Sequence, residues 1–182
     1  MAAPARALLE NGLPDIYRYI TSVNAEGKAV VTSEVSSSSV WQKIGNIAYF
    51  FLAFTTRGFP VSLANSTDIA SYTQDLSSPP GLTVSNGTVL RFVDMAPNET
   101  SPMHKTVSLD YGIVIEGPVE LVLDSGETKL LQRGDTCIQR ATNHAWRNPN
   151  NHWARVLFVL VPVEKGEGIE ESLGGMEIKS SD

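Results

Sequence analysis

Three residues in this chain have the types and the surroundings to do chemistry together: His104, Asp110 and His144. His104 opens the segment His104-Lys105-Thr106; Asp110 follows after three residues and Gly117 after six more. A second segment begins at Gly134-Asp135, runs through Cys137-Ile138-Gln139-Arg140 and ends at His144-Ala145-Trp146-Arg147-Asn148. The gap between Asp110 and Gly117 fits a strand that carries a polar residue inward and then reaches a tight turn. Gly134-Asp135 reads as a turn opening one strand, and Asn143-His144 starts another. In a small β-barrel such paired strands aim His104, Asp110 and His144 at one point. Of the three histidines in the chain, two stand in these segments.

Two imidazoles and one carboxylate suit a divalent metal: Fe(II) with open positions, or Zn(II) with a bound water. A metal so held is only partly neutralised and still polarises a carbonyl or activates water. Two metal-free alternatives stand beside this one. His144 and Asp110 can act as an acid–base pair, or the three residues can simply form hydrogen bonds in a pocket. The cofactor expectation is therefore one divalent ion, zinc or iron, or none. Thr106 lies two residues from His104 and shares its face, offering a hydroxyl to substrate. Trp146 alternates with His144 and either lines the pocket or fills the core. Arg91, if inward, anchors a carboxylate or phenolate; the alternative is an exposed edge-strand arginine. Tyr111 is expected in the core, His152 in a solvent-facing turn, and Cys137 as an inert thiol without an activating base.

The elements that must position these residues are short strands separated by turns. Residues 1–87 read as an amino-terminal arm packing on a barrel. The arm carries a hairpin whose strands, within 17–23 and 28–32, flank Asn24-Ala25-Glu26-Gly27. Ser36–Ser39 is a polar linker, and Ile47–Phe54 is apolar enough for a buried strand or a short helix. Asn65–Asn86 reads as loop with at most short structured pieces. The barrel spans 88–163, with strands at Val89–Met95, Tyr111–Ile115, Val119–Leu123, Thr128–Leu131, Thr136–Gln139, Ala145–Asn148 and Arg155–Val161. The Gly-, Glu- and Ser-rich segment 164–182 is expected to be a flexible tail. The fold class is all-β.

With 182 residues the chain is long enough for one domain with a sizeable core. Its net charge of −6 disfavours nucleic acid or an anionic membrane as the main partner. The single cysteine cannot form an internal disulfide, and no apolar run near residue 1 is long enough for a signal peptide, so a cytoplasmic location is expected. Ile47–Phe54 is too short to cross a membrane as a helix. The Asn-x-Ser/Thr sequences at Asn65, Asn86 and Asn98 are read as polar-loop composition. An arm with few intrachain partners and an apolar stretch needing cover predict exchange between two copies, hence a homodimer.

The two segments resemble the paired motifs of the cupin family. His104, Gly117, Gly134, His144 and Asn148 match. Thr106 stands where that family has a second histidine, Asp110 where it has glutamate, and Gln139-Arg140-Ala141 where it has Pro-x-Gly. Trp41–Pro60 is also similar to the amino-terminal arm of small single-domain cupins. The resemblance implies a cupin-type jelly-roll β-barrel and a small-molecule role of the kind found in microbial secondary metabolism. The expected function is a lyase or isomerase that decarboxylates, dehydrates or rearranges an aromatic polyketide-type or small organic acid substrate. A metal-dependent dioxygenase and a non-catalytic ligand-binding barrel are the alternatives.

Overall fold

The computed structural model describes residues 7–176 and 178. They fall into two compact units, one ending at Val40 and the other beginning at Trp41. In the first unit β1 (Thr21–Val23) pairs antiparallel with β2 (Ala29–Val31), Ser22 opposite Val30. The turn between them is built by Asn24, whose Oδ1 accepts hydrogen bonds from the Glu26 and Lys28 amides at 3.1 and 2.9 Å. Gly27 closes it at φ 73°, a left-handed conformation that suits glycine. This is the hairpin expected from the sequence.

The second unit holds nine strands and one helix. They are β3 (Trp41–Ile44), β4 (Ala48–Thr55), α1 (Thr67–Ser77), β5 (Val89–Met95), β6 (Ser108–Glu116), β7 (Val119–Leu123), β8 (Thr128–Leu131), β9 (Thr136–Arg140), β10 (His144–Arg147) and β11 (Ala154–Pro162). All pairings are antiparallel. Six strands form one sheet in the order β3-β4-β5-β11-β6-β9, and three form a second in the order β10-β7-β8. The arrangement is a cupin-type jelly roll, as expected. β3 and β4, assigned from sequence to the arm, belong to this sheet, because β4 pairs along β5 from Ala48↔Met95 to Thr55↔Val89. The apolar stretch from Ile47 is therefore covered by its own chain.

Alternation explains which side chains face inward. Along β6, Ser108, Asp110, Gly112 and Val114 are buried while their neighbours are more open. Met95, Val114, Val119, Leu121, Leu131, Trp146, Ala154 and Val156 form the core cluster. Tyr111, expected in the core, is on the opposite face of β6 and 42% exposed; one residue's shift in register reverses the face. His152 is exposed, as expected.

Helix α1 departs from the loop expected over Asn65–Asn86. Its Ser/Thr/Asp content masks a buried stripe of Ile69, Tyr72 and Asp75. The helix is fixed by docking rather than propensity. The Tyr72 hydroxyl donates to the Leu52 carbonyl at 2.8 Å, and Asp75 accepts from Thr55 Oγ1 at 2.6 Å and from Arg57 at 2.9 Å. Asn65, Asn86 and Asn98 all adopt positive φ (53°, 51° and 58°), so each serves as a turn residue. No helix among the described residues is long and apolar enough to cross a membrane.

Two buried polar clusters tie the sheet together. Arg155 on β11 grips Asp94 on β5 with both ends of its guanidinium, Nε–Oδ1 at 2.5 Å and an Nη–Oδ2 contact at 2.7 Å. Trp41 lies 4.9 Å from the same guanidinium. Asn148, fully buried, sets its amide nitrogen within 3.0 Å of the Met95, Ala96 and His152 carbonyls. These carbonyls lie at the end of β5 and just before β11, so one buried amide ties the two strand ends together, which gives Asn148 a structural role.

Candidate functional site

One cleft in the second unit takes in every residue singled out for chemistry. Arg91, His104, Thr106, Asp110, His144 and Trp146 all line it. The rest of the wall is largely apolar, with Ile44, Phe50, Val93, Phe158 and Leu160 among its members. The six come from three places. β5 supplies Arg91, β6 and the chain before it supply Asp110, Thr106 and His104, and β10 supplies His144 and Trp146. A two-way bridge joins the last two: the His104 amide donates to the His144 carbonyl and the His144 amide to the His104 carbonyl, both at 2.8 Å.

That bridge sets the two imidazoles side by side, ring centroids 4.2 Å apart. Each ring is anchored the same way. His104 Nδ1 lies 2.9 Å from the Pro102 carbonyl, and His144 Nδ1 lies 2.9 Å from the Thr142 carbonyl. A carbonyl only accepts, so both Nδ1 atoms carry the proton and both Nε2 atoms keep a lone pair. Burial lowers the pKa of both rings. For His144 the neighbouring His104 adds to the effect, and its pKa falls to about 4. At neutral pH the pair is uncharged.

Asp110 behaves oppositely. Burial raises its pKa to about 6, against the pull of hydrogen bonds from Ser108 and Thr106 and of the Arg91 charge. The Ser108 hydroxyl donates to Oδ1 at 2.5 Å, and Thr106 Oγ1 donates to Oδ2 at 3.3 Å. Ser108 was not singled out from sequence; its two-residue spacing from both Thr106 and Asp110 was the available signal. These contacts turn the Asp110 carboxyl towards the two hydroxyls. Among the described residues no three His, Cys, Asp or Glu side chains are grouped to hold a metal ion, so the expected His104–Asp110–His144 ligand set is not assembled. The two Nε2 lone pairs fit a metal, whereas the Asp110 carboxyl is engaged by Ser108 and Thr106.

Trp146 does both things the sequence allowed. It borders the cleft and belongs to the core cluster, its ring edge-on to His144 at 6.0 Å and to Phe158 at 5.4 Å. Gly112 makes room for this stack. A Cβ there would stand 2.9 Å from Phe158 Cε1 and 3.6 Å from Trp146 Cζ2. Gly112→Ala is therefore expected to push Phe158 off its position and to destabilise the protein by about 1–3 kcal/mol. A urea midpoint that does not move would show the stack to be looser than these distances indicate. Cys137 is half-buried, and burial raises its thiol pKa, in keeping with an inert residue.

The segment after Glu164, expected to be a free tail, is tied back beside the site. Lys105 and Ser172 exchange backbone hydrogen bonds at 2.7 and 2.9 Å, and Lys105 Nζ donates to the Gly168 carbonyl at 2.9 Å. Met176 then contributes to the cleft wall. Composition gave no sign of this, since the return segment makes these contacts through its backbone atoms.

Comparison with known proteins agrees with this architecture. The cupin domain family model matches residues 91–160. "Phomopsin biosynthesis cluster protein C'" of Diaporthe leptostromiformis is 43% identical over 87% of this chain and 85% of its own length. The "Cupin-domain-containing oxidoreductase virC" of Hypocrea virens is 43% identical over 82% and 77% of the two chains. Among solved structures, the cupin domain of Schizosaccharomyces pombe Cnp3 superposes with a TM-score of 0.50 over 80% of this chain and 88% of that one. At 12% identity that likeness shows the fold alone. The chain belongs to the cupin family.

Proposed function

We propose that this chain is an enzyme of secondary metabolism, a lyase or isomerase that moves one proton on a small, largely apolar substrate. The observation that carries this reading is the opposed proton affinity of groups on one apolar cleft. Asp110, at about 6, gains and loses a proton near neutrality, while the His104 and His144 rings stay neutral with Nε2 open. Asp110 takes a proton from carbon beside a substrate carbonyl. It returns that proton to a second carbon in an isomerisation, or to a departing hydroxyl, released as water, in a dehydration. The two Nε2 atoms accept hydrogen bonds from substrate hydroxyls and fix the reacting carbon against Asp110. Thr106 and Trp146 border the same space. The names of relatives such as phomopsin biosynthesis cluster protein C' favour the biosynthetic setting.

A second reading, metal-dependent oxidoreduction, is favoured by the naming of other relatives as oxidoreductases and by the two open Nε2 atoms. One experiment separates the two. Under the acid–base reading a strong chelator leaves turnover unchanged, and Thr106→His lowers it by crowding the pocket. Loss of turnover on chelation, recovery with added Fe(II), and tighter ion binding by Thr106→His would transfer the assignment to oxidoreduction.

A further inference from the structure

The second unit holds two deeply buried arginines on adjacent strands, and they are in opposite states. Arg155 is 1% exposed and fully engaged by the Asp94 carboxylate at 2.5 and 2.7 Å. Arg91 is 5% exposed and lines the cleft, yet among the described residues it forms no ion pair. Of its five N–H donors, one Nη donates to the Gly81 carbonyl at 2.8 Å, and that is its hydrogen bond within the described chain. The Phe50 ring, 5.1 Å from the guanidinium carbon, is its other neighbour. Asp110 acts on it electrostatically from beyond ion-pair distance. A guanidinium in an apolar cavity without a carboxylate against it is costly unless something else supplies the negative charge.

We propose that Arg91 is the seat of a carboxylate on the substrate, so that the cleft takes small apolar ring acids and holds the acid group against β5. This rests on the reading of the cleft as a small-molecule site. The planar fork of the free donors suits a carboxylate's two oxygens, and Phe50 keeps water from one side. The ring of the substrate then lies along Val93, Phe158 and Leu160, with its far end at the imidazole pair.

The test uses two probes of one shape, 1-naphthoate and its neutral amide 1-naphthamide, titrated into the purified full chain by calorimetry at pH 8. The acid is expected to bind at least about tenfold more tightly than the amide, the scale of one charge-assisted hydrogen-bond pair. Arg91→Gln removes that preference and Arg91→Lys keeps part of it. Equal affinity for acid and amide overturns the assignment, as does a preference that survives in Arg91→Gln. Failure of both probes to bind at millimolar concentration overturns it too. The wild-type comparison stands even if the Arg91→Gln chain does not fold. Because binding alone is read, failure here leaves the proton-transfer proposal to its own turnover test.

Discussion

Asp110→Asn is expected to remove about 10²–10⁴ of turnover while leaving the protein at least as stable at pH 7.5. The loss follows from taking away the group that moves the proton. The stability follows from linkage. Burial raises the Asp110 pKa to about 6 from its ordinary 3.8, so its contribution to stability is full below 3.8 and is lost as pH rises through 6. At pH 7.5 the ionised carboxylate costs the folded state about 3 kcal/mol, at 1.36 kcal/mol per unit. Asparagine does not carry that cost, although it weakens the contacts with Ser108 and Thr106. His144 has the opposite sign. Its pKa is lowered to about 4 from 6.5, so its contribution is full above 6.5 and is lost as pH falls through 4. Between pH 4 and 6 the two effects oppose each other in the wild type. Asp110→Asn leaves the histidine effect alone, so its urea midpoint should fall more steeply with acid. His144→Ala leaves the aspartate effect without this counterweight, so its urea midpoint should shift upward relative to the wild type as pH falls from 6 to 4, while most turnover is lost. An Asp110→Asn chain that turns over like the wild type would refute proton transfer at this position.

Asp94→Ala is expected to be the most damaging single change to the fold, at about 3–5 kcal/mol. It leaves the Arg155 charge buried against Trp41 with its main partner gone. Replacing both members by apolar residues of similar volume should recover much of that loss, because the wild-type pair also carries the desolvation of two ions. Urea unfolding of the single and the double variant checks both statements. If Asp94→Ala unfolds within about 1 kcal/mol of the wild type, the pair is not the fastening between β5 and β11 that its geometry indicates.

Much of this architecture was legible because it is written in local patterns. β5, β7 and β8 follow from alternation between turn residues, and the hairpin from Asn24 and Gly27. The strands missed or misassigned escaped for two reasons, shortness in one case and a partner far along the chain in the other. Trp41–Ile44 is too short to show a period, and Ala48–Thr55 reads as a strand without revealing that it lies beside β5. Helix α1 was hidden by side chains that favour turns in isolation and are used here for docking. At the site, His104, Thr106 and His144 were fixed by the spacing of the two motifs. Spacing places a Cβ, however, and does not say where a carboxyl turns. Ser108, one turn of the strand pleat away, helps to decide that for Asp110 through its hydrogen bond to the carboxyl.

The return of the chain past Lys105 to Met176 separates two problems that a barrel interior normally couples. Wall residues on the strands, such as Val93 and Phe158, also hold the sheets together, so altering them to admit a new substrate costs stability. Met176 is carried by a segment held largely through backbone bonds at Lys105 and Ser172, which are indifferent to side-chain identity. Selection can therefore re-cut this part of the cleft by point substitution in the return segment while the strands stay as they are. For directed evolution of altered substrate preference, Met176 is the economical first position, whereas Gly174, where a Cβ would meet the Met103 carbonyl, and Gly175, at φ 83°, are best left unchanged.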